Sequence, residues 1–151
     1  MKLFLKQEKD ISETEVRIKY AQMNRRIQGL INFIQREQKH ITGYIDGRIY
    51  RILVSDIFYI ERVDKNTFIY TEKDIFQSEL NLQQLFELIE SEYFMYINRI
   101  CILNVSVLDS VKVILNSKME ATLINGEKLL VSRRYLANIK EIFKLNEGKK
   151  V

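Results

Sequence analysis

The sequence is poor in the residues that build most reaction centres. Of its 151 residues one is cysteine, Cys101, and one is histidine, His40. A single cysteine allows no internal disulfide. One cysteine and one histidine cannot supply a zinc site of the usual N and S ligands. Cys101 lies in the apolar run "ICIL" and reads as a buried structural thiol. His40 follows the first predicted helix and reads as a dipole contact at its C-terminal end. The five glycines are scattered, which excludes a glycine-rich phosphate loop, and no nucleophile elbow occurs. The carboxylates Glu90 and Glu92 fall on or near the exposed side of a predicted helix. No enzymatic activity, cofactor, metal or small-molecule substrate is therefore expected.

Long apolar runs are missing too. No window approaches ~18 apolar residues, the length a membrane-spanning helix needs. The start, "MKLFLKQEKD", lacks the apolar stretch of a signal peptide. A cytoplasmic location is expected. Proline is absent, as are repeats and low-complexity stretches. One body with a real core is expected of this length.

What is present is charge, and it is segregated. The net charge is +4. Residues 1–55 carry 11 Lys/Arg against 6 Asp/Glu, residues 56–95 carry 3 against 9, and residues 96–151 carry 10 against 5. The two basic stretches suggest a polyanionic partner.

Residues 2–6 and 15–20 read as short strands around a polar turn. "AQMNRRIQGLINFIQREQ" then sets Met23, Ile27, Leu30, Ile31 and Ile34 at helical spacing. The period changes from residue 41. Asp46-Gly47 between two alternating runs signals a hairpin. "DIFYIERV" and "FIYT" are strands joined by a polar turn, "DKNT", at 64–67. After "EKD" and "IFQS", Asn81 and Gln84 form a capping-box pair opening a second helix. Its stripe is Leu82, Leu85, Phe86 and Ile89. Strands return as "FMYI", "ICILN", "VLDSVKVIL", "MEATLI" and "EKLLV", the last two joined by Asn125-Gly126. A final helix over about 133–144 buries Leu136, Ile139, Ile142 and Phe143. The fold class is mostly β with short helices, an α+β arrangement.

Three polar, donor-rich segments sit at strand ends: Lys65-Asn66-Thr67, Asn98-Arg99 and Ser132-Arg133-Arg134. Arg pairs bidentately with guanine and Asn with adenine. Arg, Lys, Ser and Thr also serve phosphate oxygens. The third segment is the most telling. Ser132 is a good N-cap, so Arg133 and Arg134 occupy the first turn of the last helix. Cations there oppose the helix dipole at about 0.3–1 kcal/mol each. An arriving phosphate removes that penalty, because it meets free N–H groups and two guanidinium groups together. Alternatively, one arginine points away and reads a base.

At these residues the sequence resembles the LytTR-type DNA-binding domain of bacterial transcription regulators. The similarity covers about residues 41–145 and follows "DIFYIERVDKNTFIYT", "FMYINRICILNVSVLDSVKVI" and "EATLINGEKLLVSRRYLANIKEIF" in order. It divides the chain into an N-terminal strand-helix extension (1–40), a LytTR-like DNA-binding domain (41–145) and a basic C-terminal tail (146–151). The resemblance implies packed β-sheets whose strand-end loops enter the major groove of double-stranded DNA. The three loops correspond to Lys65-Asn66-Thr67, Asn98-Arg99 and Arg133-Arg134. Arg99 and Arg134 match base-contacting positions. Lys65, Ser132 and Arg133 would mainly hold phosphates. Tyr96 and Ile100 depart from the pattern, standing where the family often has a basic and a small hydroxyl residue. Asn104 matches a recurrent asparagine and reads as structural.

Only about 40 residues precede the domain, too few for a phosphorylation-receiver domain. A stand-alone member is therefore expected. By the same resemblance its partners are DNA, a second copy in a homodimer, and a small membrane protein that restrains it. The amphipathic helix around 21–38 either caps the sheet or makes such a contact. Two rival classes are a β-rich protein-interaction module acting as an anti-regulator, and a single-strand nucleic-acid binder using its Tyr and Phe as stacking platforms.

Overall fold

A computed structural model of the chain describes residues 1–11, 14–37, 39–91, 93–114 and 118–147. Helix α1 spans Arg25–Glu37. It starts there because Asn24 caps it, Oδ1 accepting from the Ile27 N–H at 3.0 Å. Strands β1 (His40–Ile45) and β2 (Arg48–Leu53) follow as a hairpin. Asp46 and Gly47 form its two-residue turn with φ of 49° and 78°, the doubly left-handed geometry that Asp-Gly favours. His40 is thus not a helix-end contact. It opens β1 opposite Leu53, because the helix has already closed at Glu37.

The chain continues through β3 (Ile57–Val63), β4 (Asn66–Thr71) and β5 (Ile75–Ser78). Helix α2 (Leu82–Ile89) opens on a complete capping box: Asn81 Oδ1 accepts from the Gln84 N–H at 2.8 Å, and Gln84 Oε1 accepts from the Asn81 N–H at 2.9 Å. Such a cap contributes about 1 kcal/mol. Strands β6 (Phe94–Asn98) and β7 (Cys101–Asn104) complete a seven-stranded sheet in the order β2-β1-β5-β4-β3-β7-β6. Strands β8 (Leu108–Ile114), β9 (Lys118–Leu123) and β10 (Lys128–Val131) form a second sheet, and α3 (Arg133–Glu147) follows.

The large sheet separates two cores. One face packs Ile57, Ile60, Ile69 and Ile102 under Leu82, Leu85 and Ile89 of α2. The other packs Phe58, Tyr59, Cys101 and Leu103 against Met119, Ala121 and Leu123 of the small sheet and Ile139 of α3. Period-two alternation explains β7, whose residues 101, 102 and 103 face the two cores in turn. In β3 the adjacent Phe58 and Tyr59 share a face. A register shift between Ile57 and Tyr59 allows it.

The N-terminal expectation needs correction. Residues 2–6 and 15–20 belong to no strand, and Leu3, Phe4, Leu5 and Val16 are exposed. Neither segment has a strand neighbour to pair with among the described residues. Most of the expected basic tail, from residue 148 on, lies outside the described residues, as does the side chain of Phe143.

Candidate nucleic-acid interface

Two hairpins of the large sheet turn at the same end. Strands β3 and β4 are joined by Asp64-Lys65, with Val63 opposite Asn66. Asp64 adopts φ of 57°, the left-handed region Asp tolerates better than most residues. Strands β6 and β7 are joined by Arg99-Ile100, with Asn98 opposite Cys101. Because β3 runs antiparallel to β7, the end of one meets the start of the other. The Arg62 N–H donates to the Ile100 carbonyl at 2.8 Å.

The third segment is tied to the second. Asn98 Nδ2 donates to the Leu130 carbonyl at 2.9 Å, while Asn98 Oδ1 accepts from the Ile100 N–H at 2.9 Å. The Ser132 N–H donates to the Ile97 carbonyl at 2.9 Å. The start of α3 therefore sits against the end of β6. Adjacent strands lie about 4.8 Å apart, so the row from β4 through β3, β7 and β6 to the start of α3 spans roughly 20 Å.

The eight residues singled out from sequence divide by exposure and partner. Lys65, Asn66, Arg99, Arg133 and Arg134 are exposed. Asn66 Oδ1 accepts from Gln77 Nε2 at 3.3 Å. Arg134 lies 5.8 Å from the Tyr135 ring centroid, within cation–π range. Ser132 is half-buried, its hydroxyl 3.5 Å from the Ile97 carbonyl. Thr67 departs from expectation. The turn is two residues long, so Thr67 falls inside β4 and alternation turns it inward, leaving it 5 % exposed. Asn98 departs as well, since its amide bridges the second and third segments.

Sequence reasoning missed Arg62. It is exposed one residue before the end of β3, and its only signal was a cation beside the turn in "ERVDKN". With it, this end of the fold carries Arg62, Lys65, Arg99, Arg133 and Arg134 against Asp64 at the tips. No acidic residue occupies the first turn of α3.

Below the tips, aromatic and aliphatic side chains of the second core pack against the sheet. Tyr59 and Tyr70 stack at 4.2 Å with 11° between their planes. Burial, then a hydrogen bond to the Glu127 carboxylate, pushes the Tyr59 hydroxyl far above the usual phenol range. Burial pushes the Glu61 carboxyl up and the Cys101 thiol well up. Cys101 is a buried thiol within the second core. Tyr96 packs on Phe86, ring centroids 5.0 Å apart. It belongs to the core under α2 and cannot replace a basic residue at the tips. Asn104 is structural: its Nδ2 donates to the Ile57 carbonyl at 2.8 Å, and it is 1 % exposed.

Comparisons with known proteins agree with this architecture. A family model described as the LytTr DNA-binding domain matches residues 47–144. Uncharacterized HTH-type transcriptional regulators of Staphylococcus aureus strains NCTC 8325 / PS 47 and COL are each 30% identical over 143 residues. Those alignments cover 93% of this chain and 97% of the relative. A LytTr DNA-binding domain from Bacillus cereus shares the fold, with a TM-score of 0.64 at 22% identity over 70% of this chain and 97% of that one. The relatives are named for a helix-turn-helix, yet strands separate every pair of described helices in this chain.

Proposed function

Because the chain belongs to the LytTR DNA-binding domain family, we propose that it is a sequence-specific transcription regulator that reads double-stranded DNA with its strand-end tips. The observation that supports this most is the convergence of three cationic tips on one end of the large sheet. A row of roughly 20 Å covers a major groove about 12 Å wide together with its flanking phosphates.

Arg99 and Arg134 read base edges in this proposal. Lys65, Arg133 and the Ser132 hydroxyl hold phosphates, and Arg62 adds to the electrostatic attraction. Asn66 is the polar group of the first tip. Ile100, 38% exposed beside Arg99, offers the apolar contact that a thymine methyl accepts. Thr67 and Asn98 position the tips from within. No chemical step is needed for such a role, and the protein acts in the cytoplasm. A homodimer would set two copies on repeated half-sites about one helical turn, or 34–36 Å, apart. A small membrane protein that restrains it is the partner the family resemblance implies.

Fluorescence anisotropy with a labelled random-sequence duplex tests the reading. On a random-sequence duplex, which offers Arg99 and Arg134 no preferred base, about five tip cations meet phosphates, implying a slope near −4.5 in log affinity against log salt, or about 500-fold weaker binding at 200 mM than at 50 mM salt. Weak binding with no salt dependence would instead favour a protein-interaction module. Tighter binding to the single strand than to the duplex would favour the stacking alternative.

A further inference from the structure

The hairpin of β1 and β2 parts early from the rest of the large sheet. Strand β1 meets its inner neighbour β5 only at Tyr44 opposite Gln77. A two-residue turn makes Ile45 and Arg48 a hydrogen-bonded pair, so the odd residues of β1 bond to β2. The Val54 N–H continues that series by donating to the Lys39 carbonyl at 2.9 Å. The N–H and C=O groups of the even residues His40 and Thr42 therefore point to the β5 side. Strand β5 has ended there, at Ser78, and no described residue pairs with them. An open strand edge of this kind is a template for another extended chain.

The open edge is one wall of a cleft of about 370 Å³, within the range of small-ligand sites. Its floor is Leu85 and Ile41, 0% and 4% exposed, both in the core under α2. Leu80 and Leu88 stand exposed at its side. Tyr44 and Ile49, opposite each other on the other face of the hairpin, line it as well. A chain beside His40–Thr42 thus meets apolar groups on both its faces. The cleft is short and closed at one end. Three residues of edge extend about 10 Å. At Tyr44 the flanking position is taken by Gln77, and Ser78 turns the chain away, its hydroxyl accepting from the Leu80 N–H at 3.0 Å. Glu79, the next residue, lines the cleft there. It is exposed and forms no ion pair among the described residues.

We propose that this cleft binds the N-terminal end of a short free peptide, laid antiparallel to β1 with its α-ammonium on the Glu79 carboxylate. A second main chain satisfies the N–H and C=O groups of His40 and Thr42 together, at the spacing of a strand. The closed end admits a chain terminus and stops an internal segment. A carboxylate at that end selects the ammonium terminus. A peptide that starts there and runs towards His40 is antiparallel to β1. Strand alternation sends its first two side chains to opposite faces, and both faces are apolar, so both residues are apolar. An edge of about 10 Å is too short for the roughly 800 Å² per partner of a standard protein interface, which selects a free peptide over a folded partner. The cleft adjoins the first reading tip. Ser78 pairs with Thr67, and Gln77 Nε2 donates to Asn66 Oδ1 at 3.3 Å. An occupant is thus held beside that tip, while its binding requires no DNA.

Amide NMR of the isotope-labelled full chain, titrated with the tetrapeptide Leu-Val-Leu-Lys amide, tests this without DNA. Saturable shifts at residues 40–44 and 78–80 are expected. Acetylating the peptide's N-terminus should weaken binding about tenfold, and Glu79→Gln should weaken the free peptide to the level of the acetylated one. Leu88→Arg and Ile49→Arg, substitutions at exposed positions on two sides of the cleft, should each abolish binding in a folded chain. Ile49→Arg decides if Leu88→Arg unfolds. No saturable shift, or shifts gathered elsewhere, overturns the site. Equal binding of the free and acetylated peptides overturns the Glu79 contact and the assignment of the terminus. Binding that survives Ile49→Arg places the peptide outside the cleft and overturns the proposal.

Discussion

Replacing Arg134 by alanine is expected to weaken binding to the preferred duplex by about 10- to 100-fold, the ~1–3 kcal/mol of a good bidentate base contact. The loss should fall at one base pair. Duplexes altered at that position should bind wild type poorly and the variant nearly as well as the preferred duplex. Stability should not suffer. Arg134 is exposed, its one described contact is the Tyr135 ring, and removing a cation from the first turn of α3 relieves an unfavourable dipole interaction. Competition gel shifts on the selected duplex and its single-position variants, with thermal unfolding alongside, separate the two effects. Arg134→Ala binding its preferred duplex as wild type does would remove Arg134 from base reading.

Asn104→Ala is expected to have the largest effect on stability. Asn104 is buried at the junction of β7 with the following turn. It donates to the Ile57 carbonyl and accepts from the Ser106 N–H at 3.0 Å and the Ser106 hydroxyl at 2.6 Å. Alanine leaves the buried Ile57 carbonyl unpaired at about 1–3 kcal/mol and removes the cap on the exposed Ser106 at about 1 kcal/mol. A total of about 2–4 kcal/mol lowers the melting temperature by roughly 4–16 °C for a chain of this size. The site lies at the start of β3, away from the tips, so DNA affinity measured well below the melting temperature should be unchanged. A melting temperature within ~2 °C of wild type would show that the Ile57 and Ser106 groups find other partners.

The sequence was most legible where structure is local. Asp46-Gly47, the Asn81–Gln84 capping box and the start of α3 at Arg133 each follow from a few adjacent residues whose conformational preferences suffice. It was least legible where a neighbour decides. Residues 2–6 and 15–20 read as strands, but a strand needs a partner, and none lies within the described residues. Asn98 shows the same limit at the candidate interface. An amide that suits adenine equally suits a carbonyl and an N–H of its own chain, and only the tertiary fold brings Leu130 within its reach. The turn ends two residues earlier than "DKNT" implies, which puts Thr67 inside β4 with its side chain buried.

Sequence-specific reading requires the three tips to act as one surface. Backbone amide NMR during titration with a duplex selected from a random pool tests that most directly. Shifts at residues 64–66, 99–100 and 132–134 that saturate together at one stoichiometry are predicted. Shifts confined to a single tip, or gathered instead along β2 and α1, would contradict it.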